Sequence, residues 1–595
     1  MEIIIRLKKR LKYVLILPGI LLLVIYFYFI FPVWGIPFNA KRHGNPPLTP
    51  AWALECWLWE DDVNTAQRVD ELLDGYAGHD ISVRTILLDS PWSLRYNDFE
   101  IDTNRYPEPE IWFKKLQDND YRVVLWMTTM VNSYSKDTKI SESEPWYNNS
   151  RNKGYLAARG DQISWWKGEG GFIDYTNPEA MKWWHGIQQK VFDWGIDGWK
   201  LDGTATLFWK KLGPIPFFYK RTHDGLMTTR GYMDQYYRDE YIFGLKQNPE
   251  FVTLARAIDR GYHPEGFAPL EAAPVTWVGD QEHYWESKDY IDNKYEEKTD
   301  IAMKGIQGFE SAIENVLKSA KTGYNIIGSD IAGFSGGTIP PHLYIRWTQF
   351  SAFCGLFLNG GHGERALWKR SPQELEIIRK YSWLHTELIP YMYSYVVEAH
   401  NGGKVLQRPV KGKYHYMFGD YLLIAPIFKD DLKNKVSLPK GKWRYWFDDS
   451  ELIEGPVTFE REFPLDEYPV YIKEGAIIPM NIERAYTGIG DENSKGYLTY
   501  LIYPDAKSSF TIYNPGNVKS TSIFVEETRE LIKITLEGEK KPHILKVNLS
   551  SEPQRIELDN VVLSDSLDYF FVRESNKLVI KTDDFTSGNY IIKLK

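Results

Sequence analysis

"DGWKLDGTATL", residues Asp197–Leu207, ends a short apolar run on an aspartate, Asp202, and follows it at once with Gly203. A carboxylate beside buried side chains is costly unless something pairs with it. Side chains alternate along a strand, so Lys200 and Asp202 share one face and Trp199 and Leu201 the other. An ammonium near a carboxylate favours its ionised form. Asp202 is therefore expected to be a permanent anion, with Gly203 clearing space beside it, and that suits a nucleophile.

Working outward, strands alternate with helices. Strand candidates are Ala51–Glu60, Ser82–Asp89, Arg122–Met127, the stretch "IDGWKLD" around Lys200, Phe251–Ala257, Pro274–Asp280, Asn325–Asp330 and Gly355–Asn359. Between the third and fourth lies a polar insertion, Val131–Gly171. A helix follows it, with Asn177 as N-cap, Pro178 at its first position, an apolar stripe of Trp184, Ile187, Val191 and Trp194, and Gly195 as terminator. Eight strands with helices between most of them predict an α/β fold, a parallel sheet closed into a (β/α)8 barrel. An open doubly wound sheet lacks support, because no Gly-rich phosphate turn is present. Past Gly402 the pattern changes to short strands with Pro and Gly turns, which predict two antiparallel β-sandwiches. The expected domains are a barrel over 51–402, a proximal sandwich over 403–482 and a distal sandwich over 483–595. No repeat or low-complexity tract interrupts them.

The chain has 595 residues and a net charge of −9, with no basic stripe, so nucleic acid is excluded as a natural partner. It carries 22 Trp and 39 Tyr, a load that fills large cores or lines ring-shaped ligands. Only Cys56 and Cys354 occur, far apart, so neither a disulfide framework nor a zinc site is supported. At the amino terminus, "RLKKRLK" (Arg6–Lys12) precedes the apolar run Tyr13–Phe31, and no charge appears from Tyr13 to Ala40. The expectation is a basic cytoplasmic tail over 1–12, a single-pass transmembrane signal anchor over 13–31 and a linker over 32–50, with the rest on the non-cytoplasmic side (periplasm, cell surface or secretory lumen). A cleaved signal peptide is the alternative and places the bulk on the same side. Asn148-Asn149-Ser150 and Asn548-Leu549-Ser550 fit the glycosylation sequon.

Four of the strand candidates stop on aspartate: Asp89, Asp202, Asp280 and Asp330. Barrel chemistry gathers at the carboxyl ends of the strands. Asp280 follows Trp277 and Val278 and precedes Trp285, apolar neighbours expected to keep it protonated. One charged and one neutral carboxyl group are the equipment for breaking a glycosidic bond.

These residues also resemble a known family, glycoside hydrolase family 31, from about Trp52 to Met480. "IDYTNPEAMKWW" is similar to the family's "DxTNPxAxxWW", "VTWVGDQ" to "WxGDN", and "GYNIIGSDIAGF" to "GxxxxGxDIGGF". "DGWKLDG" stands at the nucleophile strand, and "IRWTQFSAFCGLFLNGGHGE" follows the family's RWxQ-to-His segment. The resemblance implies a retaining exo-acting α-glycosidase, α-glucosidase-like, that acts on oligosaccharides or glycoconjugates. Asp202 would be the nucleophile and Asp280 the acid/base. Asp89, Arg256, Asp330 and His362 would hold sugar hydroxyls, with Lys200, Trp126, Trp277 and Trp347 as further substrate-binding candidates. No metal or organic cofactor is implied. The alternatives are α-galactosidase or α-xylosidase specificity, a transglycosidase or lyase, and a non-catalytic carbohydrate-binding barrel.

The chain also departs from the family pattern. Ala205 replaces an acidic residue three after the nucleophile, Pro91 and Trp92 replace the second Asp and the Tyr of "DIDY", and the β-sandwich that usually precedes the barrel is expected to be missing between the apolar run and residue 51. Lys200 resembles the α-xylosidases of the family and the related α-galactosidase clans. The Val131–Gly171 insertion is expected to substitute for the loop that the missing domain supplies.

Overall fold

The computed structural model describes residues 16–34, 44–61, 63–136, 138, 144–203, 207–212, 215–257, 268–285, 308–516, 519–565 and 567–594. Its centre is one eight-stranded parallel sheet. In chain order the strands are β1 (Cys56–Glu60), β2 (Thr85–Leu88), β3 (Arg122–Met127), β4 (Gly198–Leu201), β5 (Val252–Arg256), β6 (Val275–Trp277), β7 (Ile327–Gly328) and β8 (Phe357–Gly361). Each pairs with the next in parallel from β1 to β7, and β1 also pairs with β8. The seam between β7 and β8 is closed by a parallel bridge, Asp330 to Leu358, with the Ile331 N–H donating to the Leu358 carbonyl at 2.9 Å. All eight predicted strands are therefore present, and the barrel is nearly closed.

The helices around it are α1 (Ala66–Gly78), α2 (Pro109–Asp118), α3 (Pro178–Asp193), α4 (Thr229–Gln247), α5 (Phe309–Thr322), α6 (Pro341–Ala352), α7 (Pro372–Glu387) and α8 (Ile389–His400). Helix α3 starts as its sequence dictates: the Asn177 side chain accepts from the backbone N–H of Glu179 at 3.0 Å, with Pro178 behind it. It stops at Gly195, whose φ of 79° carries the chain out of the helix. Trp199, on the outward face of β4, is fully buried against Phe99, Phe192 and Phe251. That aromatic layer fixes β4 against α3 and turns Lys200 and Asp202 inward; truncating such a ring costs about 3–5 kcal/mol.

The insertion after β3 forms a three-stranded antiparallel sheet (Met130–Ser135, Ile163–Trp165 and Gly168–Phe172) with a helix at Glu144–Asn152. Beyond the barrel, a six-stranded antiparallel sheet runs from Gln407 to Lys473, tied on by buried Arg346 of α6, which donates to the carbonyls of Phe463 and Glu467 at 2.7 Å each. A five-stranded and a six-stranded sheet complete the chain. One expectation needs correction here. The pair Leu498–Ile502 and His543–Asn548 is parallel, so the last domain is not purely antiparallel.

The expected membrane-spanning helix over Tyr13–Phe31 is not carried by the described residues, which begin at Ile16. Residues 16–25 are helical, but Tyr26–Ile30 widens into a π-helical stretch before Phe31–Trp34 resumes the α-helix. Among the described residues no helix is long and apolar enough to cross a membrane.

Candidate active site

The carboxyl ends of β1, β2, β4, β5, β6 and β7 converge on one charged cluster. Trp126 and Lys200 are register partners on β3 and β4, so both side chains enter the barrel on the same face. The Trp126 Nε1–H donates to Asp202 Oδ2 at 2.9 Å. The other oxygen, Oδ1, accepts the Gly203 N–H at 2.7 Å and the Arg256 guanidinium at 2.9 and 3.2 Å. Burial alone would push the Asp202 carboxyl up. The Arg256 and Lys200 cations, with the Trp126 and Arg256 hydrogen bonds, hold it well below the usual carboxylate range.

Lys200 is only 3% exposed, and its ion pair is with Asp89 at 2.7 Å rather than with Asp202. Its ammonium also sits over the Trp59 ring at 3.6 Å. Burial pulls its pKa down, but Asp89, Asp202 and Asp330 more than offset that and keep it cationic. Lysine and arginine thus share the work expected of Lys200 alone.

Asp280 corrects a second expectation. Its first neighbour is not an apolar wall but the Arg256 guanidinium, whose NH2 nitrogen donates to Asp280 Oδ2 at 2.7 Å. The same nitrogen donates to Asp202 at 2.9 Å. The two carboxyl groups therefore lie within two hydrogen-bond lengths of each other. Asp280 takes a left-handed φ of 74°, uncommon for a non-glycine residue and typical of a held functional position. The turn exists because residue 279 is glycine: a Cβ there would sit 2.0 Å from Trp277 Nε1. The turn also aims the Asp280 N–H at Asp330 Oδ2, at 3.0 Å.

Asp330 is fully buried, and burial followed by the Asp280 charge pushes it up to about 6. Its Oδ1 and the Nε1 of buried Trp277 have no hydrogen-bond partner among the described residues. The Trp277 ring lies beneath the Arg256 guanidinium, 4.6 Å from the ring centroid. His362 stands at the open side, 41% exposed, against Asp61 Oδ2 at 3.1 Å. Trp347 does not reach the cluster. It is buried in the helix layer, stacked on Phe309 and hydrogen-bonded to Ser329, so it braces the end of β7 instead of lining the cup.

Asp61 was not among the expected residues. It directly follows β1, as Asp89 follows β2 and Asp202 follows β4, and burial followed by the Asp89 charge pushes it up to about 7, against the pull of His362 and Lys200. The sequence "WLWEDD" held that signal, because it too is an apolar strand that runs into acid. The insertion after β3 also reaches the cup. Trp165 stacks parallel to Trp126 at 6.4 Å, and the Lys167 charge acts on Asp61.

Among the described residues no group of three or more His, Cys, Asp or Glu is placed to hold a metal ion. A second cleft, between α6, α7 and the six-stranded sheet, is lined by Trp285, His342, Glu376 and Asp430 and contains none of the residues of the barrel cluster.

The chain matches the Glycosyl hydrolases family 31 TIM-barrel domain over residues 46–291 and 299–395. It belongs to that family. Residues 390–478 match the family's C-terminal domain. Over 472 residues the chain is 26% identical to an alpha-xylosidase of Emericella nidulans, covering 74% of this chain and 54% of that protein. Over 527 residues it is 25% identical to alpha-glucosidase 2 of Bacillus thermoamyloliquefaciens, covering 83% of this chain and 62% of that protein. It thus spans between half and two-thirds of those relatives. Its fold is similar to that of the Flavobacterium johnsoniae GH31 dextranase complexed with glucose, with a TM-score of 0.78 and 21% identity over 93% of this chain and 72% of that one.

Proposed function

We propose that this family 31 member is a retaining α-glycosidase that removes terminal α-linked sugars, with Asp202 as nucleophile and Asp280 as acid/base. One observation carries the reading: a single Arg256 nitrogen bonds both carboxylates, at 2.9 and 2.7 Å. The facing oxygens are thus less than two full hydrogen-bond lengths apart, below the about 6.5–9.5 Å that leaves room for a water in inverting enzymes, which supports the closer spacing of retaining ones.

In the first step Asp202 forms a bond to the anomeric carbon while the glycosidic C–O bond breaks and Asp280 gives its proton to the departing oxygen. In the second, Asp280 takes a proton from water, the water oxygen bonds to the anomeric carbon, and the bond to Asp202 breaks. Two inversions leave the configuration retained. The strong cationic surroundings keep Asp202 ionised and ready to attack. Removal of a chain end fits the exposure gradient, since Lys200 and Asp330 close the floor while His362 and Asp280 stand at the open side. Buried Trp277 Nε1 and Asp330 Oδ1 offer a donor and an acceptor for sugar hydroxyls. Glucose is the first expectation. Xylose and galactose differ from it at groups that a few pocket hydrogen bonds decide.

The test is a panel of aryl α-glucoside, α-xyloside and α-galactoside with the product followed by proton NMR. The α-anomer should appear first; initial release of the β-anomer would refute retention. On the preferred sugar, Asp280→Ala should cost about 10²–10⁴-fold with a poor leaving group and far less with dinitrophenolate. Equal losses on both would remove Asp280 from the acid role.

A further inference from the structure

We propose that the apolar helix of residues 16–34 and the hairpin rim that follows β4 form one lipid-docking surface, which holds the mouth of the barrel against an anionic bilayer. Leu21, Leu22, Leu23 and Val24 are consecutive and all more than half exposed, so no side of the helix is covered there. A helix that is apolar all round belongs in a protein core or in lipid.

This helix is not a loose tether. The Tyr219 hydroxyl donates to the Phe27 carbonyl at 2.8 Å, and the Tyr28 ring lies 6.1 Å from that of Phe217. The turn Phe31–Trp34 packs along α4. Phe217 and Tyr219 belong to the strands Ile215–Phe217 and Tyr219–Thr222, between the carboxyl end of β4 and α4. Ile215, two residues before Phe217 on one strand, shares its face and is half exposed. A lipid surface that takes the helix therefore also meets the hairpin, and the barrel mouth is fixed relative to it.

Lipid is the occupant favoured by the chemistry of the patch. The helix offers no charged side chain to a protein partner, and the sequence three residues upstream of it, Arg6–Lys12, carries five basic residues suited to anionic headgroups.

The natural cysteines, Cys56 and Cys354, are free and buried. Ile215→Cys in the full chain thus provides one accessible thiol for an environment-sensitive fluorophore. Leu567→Cys, at a site 86% exposed in the distal domain, is the control. With vesicles of phosphatidylcholine and phosphatidylglycerol, the label at 215 should shift to the blue, brighten several-fold and be quenched by nitroxide lipid, while the label at 567 stays unchanged. In the unmodified chain, tryptic cleavage after Lys210, whose side chain is half exposed, should slow when the same vesicles are present. Vesicle binding with no response at 215 and no protection of Lys210 would overturn the proposal, as would equal responses at both labels. Protection without lipid, accompanied by dimerisation, would assign the patch to a second copy instead. None of these readouts needs turnover, and Ile215→Cys should leave hydrolysis of a soluble aryl glycoside unchanged, so failure here is distinct from failure of the glycosidase reading.

Discussion

Two walls of the same cup treat aspartate in opposite ways. On the β4–β5 wall, Asp202 meets a guanidinium, an indole N–H and a backbone N–H, and its charged form is favoured despite burial. On the β7 wall, Asp330 has one backbone N–H and an orphaned oxygen, and on the β1 wall Asp61 faces Asp89; both are pushed toward neutrality, to about 6 and about 7. Residue type and strand-end position are the same throughout. The reach of Arg256 separates them, because among the described residues it spans from Asp202 to Asp280 and bonds neither Asp330 nor Asp61, whose ion-pair partner is the histidine His362. Burial sets the cost of charge, and the placement of two cations decides which carboxyl group escapes it.

Removing the favoured charge tests that contrast most severely. Asp202→Asn should lower kcat on an aryl α-glycoside by about 10⁴-fold or more, with melting behaviour close to wild type. Substantial residual turnover would take Asp202 out of the nucleophile role and dissolve the distinction between the walls. A smaller effect is expected from Arg256→Lys, which cannot bond both carboxylates through one planar fork. It should lower kcat/KM by about 10²-fold. Without the guanidinium the Asp202 pKa rises toward the ordinary carboxylate range, so the acid limb of the kcat/KM profile should move to higher pH. An acid limb that stays in place would mean that Lys200, not Arg256, holds the nucleophile charged.

The sequence makes the barrel legible because each strand is a short apolar run closed by a turn residue, a purely local pattern. It also makes four of the clustered aspartates legible, since they end those runs. Partnership was not legible. Alternation along β4 places Lys200 on the face of Asp202, but the closest oxygen belongs to Asp89 on β2, two strands away in the sheet order. Likewise the apolar letters around Asp280 describe its chain neighbours, whereas its electrostatic neighbour arrives from β5. Trp347 lies in a stretch similar to a family motif, yet a motif does not say whether a ring lines a pocket or braces a strand; here it braces β7. Asp61 was missed for the converse reason. Its strand candidate stops at Glu60, so the acid beyond it falls outside the set of strand-end aspartates and into the helix candidate that follows.

The gentlest probe of the contrast is the stability of the substrate-free protein. An ordinary Asp titrates near pH 3.9 when unfolded, whereas Asp330 does so at about 6 in the fold. A raised folded value means that the native state holds its proton more tightly. The associated stability is present in full below about pH 4 and is lost as pH rises through about 6. At about 1.4 kcal/mol per pKa unit, the loss at pH 8 approaches about 3 kcal/mol. Asp330→Asn carries no charge at any pH and can still accept the Asp280 N–H through its amide oxygen. The variant should therefore melt above wild type at pH 8, and the gap should shrink or reverse at pH 4.5, where Asp330 is already neutral. A gap independent of pH would show that the orphaned oxygen of Asp330 is not costly when charged, and the β7 wall would then be as well compensated as the wall that holds Asp202.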